Sequence, residues 1–201
     1  MSDFGAFVQL GFAHITTLDA LDHILFLLAL AAIYTVRDWR DTLWVVTAFT
    51  VGHSITLVLA VIGMLRIQSD VVEFLIPLTI VATCIENVIV RERKAAGGGR
   101  HRRPVLAGVF GLVHGAGFAN YLENVFGEGI ALPLFGFNLG IELGQVTVLL
   151  VIFGGLYVLD RVIDSSRVAS SNWPVVRLRS AGLSILILVV AARWAALRAP
   201  W

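Results

Sequence analysis

An all-α polytopic membrane helical bundle, with about six transmembrane helices and an N-terminal amphipathic or re-entrant segment, is the fold this chain predicts. Three observations carry that reading. Hydrophobic residues make up 58% of the 201 residues against 14% charged, with a mean hydropathy of +0.86, whereas a water-soluble domain carries about 25% charge. Apolar runs long enough to cross about 30 Å of hydrocarbon recur along the chain. Twelve of the fifteen Lys and Arg fall on alternate loops, the asymmetry that orients membrane helices.

The elements follow in order. Phe4, Phe7, Val8, Phe12 and Ile15 recur at approximate helical spacing around Gly11, which predicts an amphipathic or re-entrant segment on the outer surface that carries His14 over the bundle mouth. Spans are then expected over residues 20 to 36, 42 to 64, 71 to 90, 104 to 122, 130 to 159 and 178 to 198. Turn and charge signals such as Arg37-Asp38-Trp39-Arg40-Asp41 and Gly97-Gly98-Gly99 separate them. Residues 1–201 read as a single transmembrane domain with a basic cytoplasmic loop at about 91–103. With the N-terminus outside, one face collects Arg37, Arg40, the basic run from Arg91 to Arg103, Arg161, Arg167, Arg177 and Arg179, and leaves Arg66, Arg193 and Arg198 opposite. Both termini are therefore expected outside the cytoplasm.

Composition also excludes several classes. The basic residues form no stripe interleaved with aromatics, so no nucleic-acid partner is expected; the lipid bilayer is. Cys84 is the single cysteine, which rules out an intrachain disulfide and a C-x-x-C motif. The N-terminus lacks the basic region of a cleavable signal, so residues 1–201 are expected to be the mature protein.

Ionisable residues inside the predicted spans are the functional signal, because each costs roughly 2.5 to 3.5 kcal/mol at the centre of an inserted helix. Asp19, Asp22 and His23 share a face by their i, i+3, i+4 spacing and, with His14, predict an outer cluster. His53, His114 and Glu142 each lie about halfway along their spans and predict a midplane set. Glu86 and Asn87, towards the cytoplasmic end of the third span, and Asn138 and Gln145, on one face with Glu142, mark a candidate pathway. Gly111-x3-Gly115 around His114 and Gly136-x3-Gly140-x3-Gly144 around Asn138 and Glu142 predict close backbone approach. Imidazole with carboxylate and no thiolate suits a divalent transition metal (Ni, Co, Zn or Fe). The metal ligands expected are His14, Asp22, His23, His53, His114 and Glu142, with affinity falling below about pH 6.5 as the imidazoles take up protons.

Gly11-Phe-Ala-His14, Asp22-His23-Ile-Leu-Phe-Leu-Leu-Ala-Leu, Phe49-Thr-Val-Gly-His53-Ser-Ile-Thr-Leu, Glu86-Asn87, His114-Gly-Ala-Gly-Phe118 and Phe137-Asn-Leu-Gly-Ile-Glu142-Leu-Gly-Gln145 together resemble the HupE/UreJ family of small bacterial membrane proteins, in its second, divergent branch. The likeness runs from about residue 8 to residue 150. It implies a nickel or cobalt permease of the bacterial cytoplasmic membrane. The family's H-x5-D-H motif has its counterpart in His14-x7-Asp22-His23, two residues longer.

A transporter is thus the preferred reading over an enzyme. The residues themselves leave two others open: an intramembrane zinc-dependent hydrolase with Glu142 or Asp22 as general base, and a b-haem electron-transfer subunit with His53 and His114 as axial ligands. Partnership with a second copy of the chain, or with a membrane complex, stays open too. The discriminator is whether the side chains from separate spans converge on one cavity.

The orientation has its own test. Alkaline phosphatase fused at either terminus should be active and a fluorescent protein inserted in loop 91–103 should fold in the cytoplasm; the reverse pattern would invert the topology.

Overall fold

In a computed structural model the chain is described over residues 3–17, 20–65, 68–89, 102–125, 131–166 and 174–201, with side chains of α5 described as far as 117. Every regular element among these is helical. They are α1 (Asp3–Thr16), α2 (Leu21–Ala31), α3 (Trp39–Val61, entered through a short 3-10 turn at Val36–Asp38), α4 (Ser69–Ile89), α5 (Arg102–Val125), α6 (Ala131–Ser165) and α7 (Val175–Leu197). Asp19, His101, the glycine run 97–99 and the loop before Arg102 lie outside the described residues.

Helices α3, α4, α6 and α7 are each long and apolar enough to cross a membrane. Helices α1 and α2 pass the same test only together, as a pair bent by 68° at a short break. The predicted first span, 20 to 36, is corrected accordingly. Its helix ends at Ala31 after 11 residues, or about 16 Å at 1.5 Å per residue, roughly half of what the hydrocarbon requires. The expected amphipathic or re-entrant N-terminal segment is α1, which packs along α6 and leaves Gly5, Ala6, Gln9 and Phe12 exposed. Helix α5, diluted by Gly108, Gly111, Gly115, Gly117 and His114, falls short of the hydropathy of a span but lies parallel to α3 over most of that helix's length. Counting it and the broken pair reproduces about six crossings. The fifth span outruns its expected end at 159, continuing as helix to Ser165.

Three close pairs and one central half-helix make the architecture. The α1–α6 and α3–α5 pairs are both parallel and both built backbone to backbone on glycine. A Cβ on Gly11 would overlap the carbonyl of Phe137, and one on Gly140 that of Val8; one on Gly52 would overlap the carbonyl of Gly108, and one on Gly111 that of Phe49. Small residues serve here because lipid supplies no hydrophobic drive and dispersion must come from near contact. The third pair, α4 and α7, is antiparallel, with the Phe74 ring against Trp201 near one end and Asn87 bonded to Ser184 near the other.

Helix α2 sits among these pairs, and its apolar residues divide between two core clusters: Leu27 and Ala31 with Ile15, Phe137 and Ile141, and Phe26, Ala29 and Leu30 with Phe49, Ile80 and Ile187. Its C-terminal carbonyls end inside protein, where they must find donors. Asn87 Nδ2 donates to Ala29 O at 2.6 Å. The Arg179 guanidinium donates to Ala32 O at 3.1 Å and to Tyr34 O at 2.6 Å, and its remaining nitrogen bonds Asp160. Arg179, counted with the basic loops from its position in the sequence, is 2% exposed. A guanidinium is suited to this task because its planar fork serves several acceptors at once.

These contacts predict an asymmetry among glycines. Gly111→Ala forces α3 and α5 apart and should lower stability by about 1–3 kcal/mol, whereas Gly154→Ala, which meets nothing within 4 Å, should leave it unchanged or slightly raised. Thermal unfolding of the two variants in the same detergent distinguishes them.

Candidate metal site

The last turn of α1, the first turn of α2 and the helix α3 bring histidines together. His14 lies in the last turn of α1, His23 in the first turn of α2 and His53 well inside α3. One ring nitrogen from each lies within 4.8 Å of the others. The ring centroids are 4.8 Å apart for His14–His23, 5.9 Å for His14–His53 and 6.3 Å for His23–His53. Three nitrogens each about 2.1 Å from one ion lie about 3.4–3.6 Å apart, so an ion would draw each ring inward by less than about 1 Å. The helix ends favour the same occupant. The carbonyl end of α1 attracts positive charge, and Asp22 supplies an acid at the amide end of α2.

Hydrogen bonding fixes which nitrogens carry lone pairs. Asp22 Oδ1 accepts from His23 Nδ1 at 2.9 Å and from the His23 backbone N–H at 2.8 Å. His23 is thereby the Nδ1–H tautomer, and its Nε2, buried and without a hydrogen-bond partner among the described residues, carries the lone pair. A carboxylate behind a ligating imidazole orients the ring and raises its basicity. His53 is the plainest case. It is wholly buried, and neither ring nitrogen has a hydrogen-bond partner among the described residues, at a cost of about 1–3 kcal/mol for a buried polar group left unpaired.

His114 stands beside this group, 1% exposed, with its ring 5.1 Å from that of His23 and 5.4 Å from that of Phe26. The Thr79 hydroxyl donates to Ile76 O at 2.7 Å, so the 3.0 Å contact between Thr79 Oγ1 and His114 Nε2 is an N–H donated by the histidine. Its Nδ1 then carries the lone pair.

The sequence-derived residues therefore fall out as follows. His14 and His23 of the expected outer cluster meet His53 of the expected midplane set. Asp22 stands behind His23, outside the group of three. Glu142 is also outside it, half-buried on α6 between Ile141, in the core, and Leu143, which is exposed. Asn138 is half-buried, its Oδ1 without a hydrogen-bond partner among the described residues. Gln145 ties α6 to α3 through Thr50 Oγ1 at 2.8 Å. Asn87 and Glu86 are held by α5: Arg103 donates to Asn87 Oδ1 at 3.0 Å, and Arg102 and Arg103 lie 3.8 and 3.9 Å from the Glu86 carboxylate. Sequence reasoning missed Thr79. The spacing of Thr79, Thr83, Glu86 and Asn87 along one buried or half-buried face of α4 was the available signal.

The chain belongs to the HupE/UreJ family: the family model described as HupE / UreJ protein matches residues 1–198. No curated protein and no solved structure matches it.

His53→Leu exposes the tension between stability and binding at this site. Replacing this buried imidazole, which has no partner among the described residues, should stabilise the metal-free protein by about 1–3 kcal/mol, and if His53 is a ligand it should abolish any rise in melting temperature on addition of Ni2+ or Co2+. A destabilised metal-free variant that still responds to metal would contradict the assignment of His53.

Proposed function

We propose, from membership of the HupE/UreJ family as premise, that this multi-pass membrane protein is a permease for a divalent transition metal of the nickel or cobalt type. Convergence of His14, His23 and His53 from three helices on one locus at the break of a membrane helix is the observation that carries the reading. Discontinuous helices place binding groups at mid-membrane depth without leaving backbone unsatisfied in lipid. Imidazoles select borderline divalent ions over Mg2+ and Ca2+, which want oxygen.

In this reading a hydrated cation exchanges water for the ring nitrogens of His14, His23 and His53, and His114 offers a further nitrogen alongside. Asp22 answers part of the positive charge through His23. The cation remains only partly neutralised by such neutral ligands, so it is held well enough to lose water and weakly enough to leave. Conduction needs that balance.

Two alternatives are less well supported. Three imidazoles match the ligand count of a catalytic zinc site, yet Asp22 is committed to His23 and Glu142 lies outside the group, which leaves neither placed to activate a water. A haem between His53 and His114 meets the backbone contact of their helices, where Gly115 abuts the carbonyl of His53 and leaves no room for a porphyrin.

Uptake of 63Ni or 57Co by cells or proteoliposomes tests the proposal. His23→Ala and His114→Ala should each cut uptake at least about tenfold, while Asp22→Asn should weaken it less, its amide oxygen still able to accept from His23. Uptake indifferent to both alanine variants would reject a permease working through this site.

A further inference from the structure

Beside the histidines the bundle holds a small space, and the Phe26 ring lies between it and His114. The space is a small cavity lined by Phe26, Leu30, Val45, Thr83, Glu86 and Arg103, among others. Phe26 follows His23 by three residues on α2 and so lies on the same helix face, one turn further along. It is 1% exposed. Its ring lies 4.9 Å from that of Phe49, 5.4 Å from that of His114 and 6.2 Å from that of Phe110. Phe26 thus touches the histidine group on one side and lines the cavity on the other.

The wall beside this ring is polar. On α4 the Thr79 hydroxyl meets His114, and Thr83 Oγ1 donates to Thr79 O at 2.9 Å while lining the cavity. From Thr79 to Glu86 is about 10 Å along the helix. Oxygen atoms therefore run from the histidines to the cavity along one side, and phenyl rings close the other. An apolar constriction flanked by polar groups blocks ions by excluding their water, and it opens with a small displacement of the ring.

We infer that Phe26 is the seal between the histidine site and the cavity. As a seal it stands whether or not the protein is a permease. Its use as the gate for the cation rests on the permease reading.

The experiment compares Ni2+ and Mg2+ entry into proteoliposomes carrying the parent, Phe26→Ala, Phe26→Leu and Phe110→Ala, with Ni2+ binding to each measured in detergent by equilibrium dialysis. Phe26→Ala should raise Mg2+ entry at least about tenfold over the parent, with Ni2+ binding within about twofold, because the ring coordinates nothing. Phe26→Leu, which keeps an apolar plug, should behave as the parent. Phe110→Ala, which removes the ring behind Phe26, should leak in the same direction but less, and it answers the question if Phe26→Ala elutes as aggregate. Parent-level Mg2+ entry in every folded variant would overturn the seal. Absence of Ni2+ entry in the parent, with a leak in Phe26→Ala, would overturn the permease reading while supporting the seal.

Discussion

Everything in this structure depends on α2, a short helix of 11 residues that ends among its neighbours rather than at a free surface. Ending a helix leaves four amides or four carbonyls without partners, and in hydrocarbon no water is available to satisfy them. The chain resolves this with side chains. Asp22 accepts from the first turn of α2, while Asn87 and Arg179 donate to carbonyls in its last turn and the residues just after it. Arg179 is in turn balanced by Asp160. Polar residues drawn from α4, α6 and α7 are therefore committed to supporting one element of 11 residues, and the return is a pair of helix ends deep in the bundle with histidine on each.

The glycine pairs complete that arrangement. Because Gly11 and Gly140 bring the backbones of α1 and α6 together, and Gly52, Gly111 and Gly115 those of α3 and α5, His14, His53 and His114 are carried on elements whose spacing is set by backbone rather than by adaptable side chains. Close-packed interiors transmit such constraints with little relaxation. The imidazole nitrogens of His53, on the tightly packed α3, have no hydrogen-bond partner among the described residues. That is a local sacrifice of stability of the kind functional sites make.

Chemistry follows from the identity of the groups left open. Asp22 is spent in orienting His23 and Thr79 in orienting His114, so the lone pairs that remain belong to neutral nitrogen bases. Such a set favours borderline divalent ions. The aromatic rings of Phe26 and Phe49 pack directly against these imidazoles, keeping the local dielectric low and strengthening whatever electrostatic interaction an ion makes there.

The sequence by itself determined the fold class, the family and the polar residues worth attention, because hydrophobic length, loop charge and the cost of an ionisable group in lipid are properties of the chain alone. It also announced Gly111, Gly115, Gly136, Gly140 and Gly144 as contact points. Only the tertiary structure decided that Asp22 stands behind His23, that Arg179 is buried, and that His14 and His23 meet His53. Hydropathy averages over a window and registers a run of apolar residues in the same way whether its helix continues or bends by 68°. A bend is held by partners distant in sequence, such as Asn87 and Arg179, and those partnerships exist only once the chain has folded.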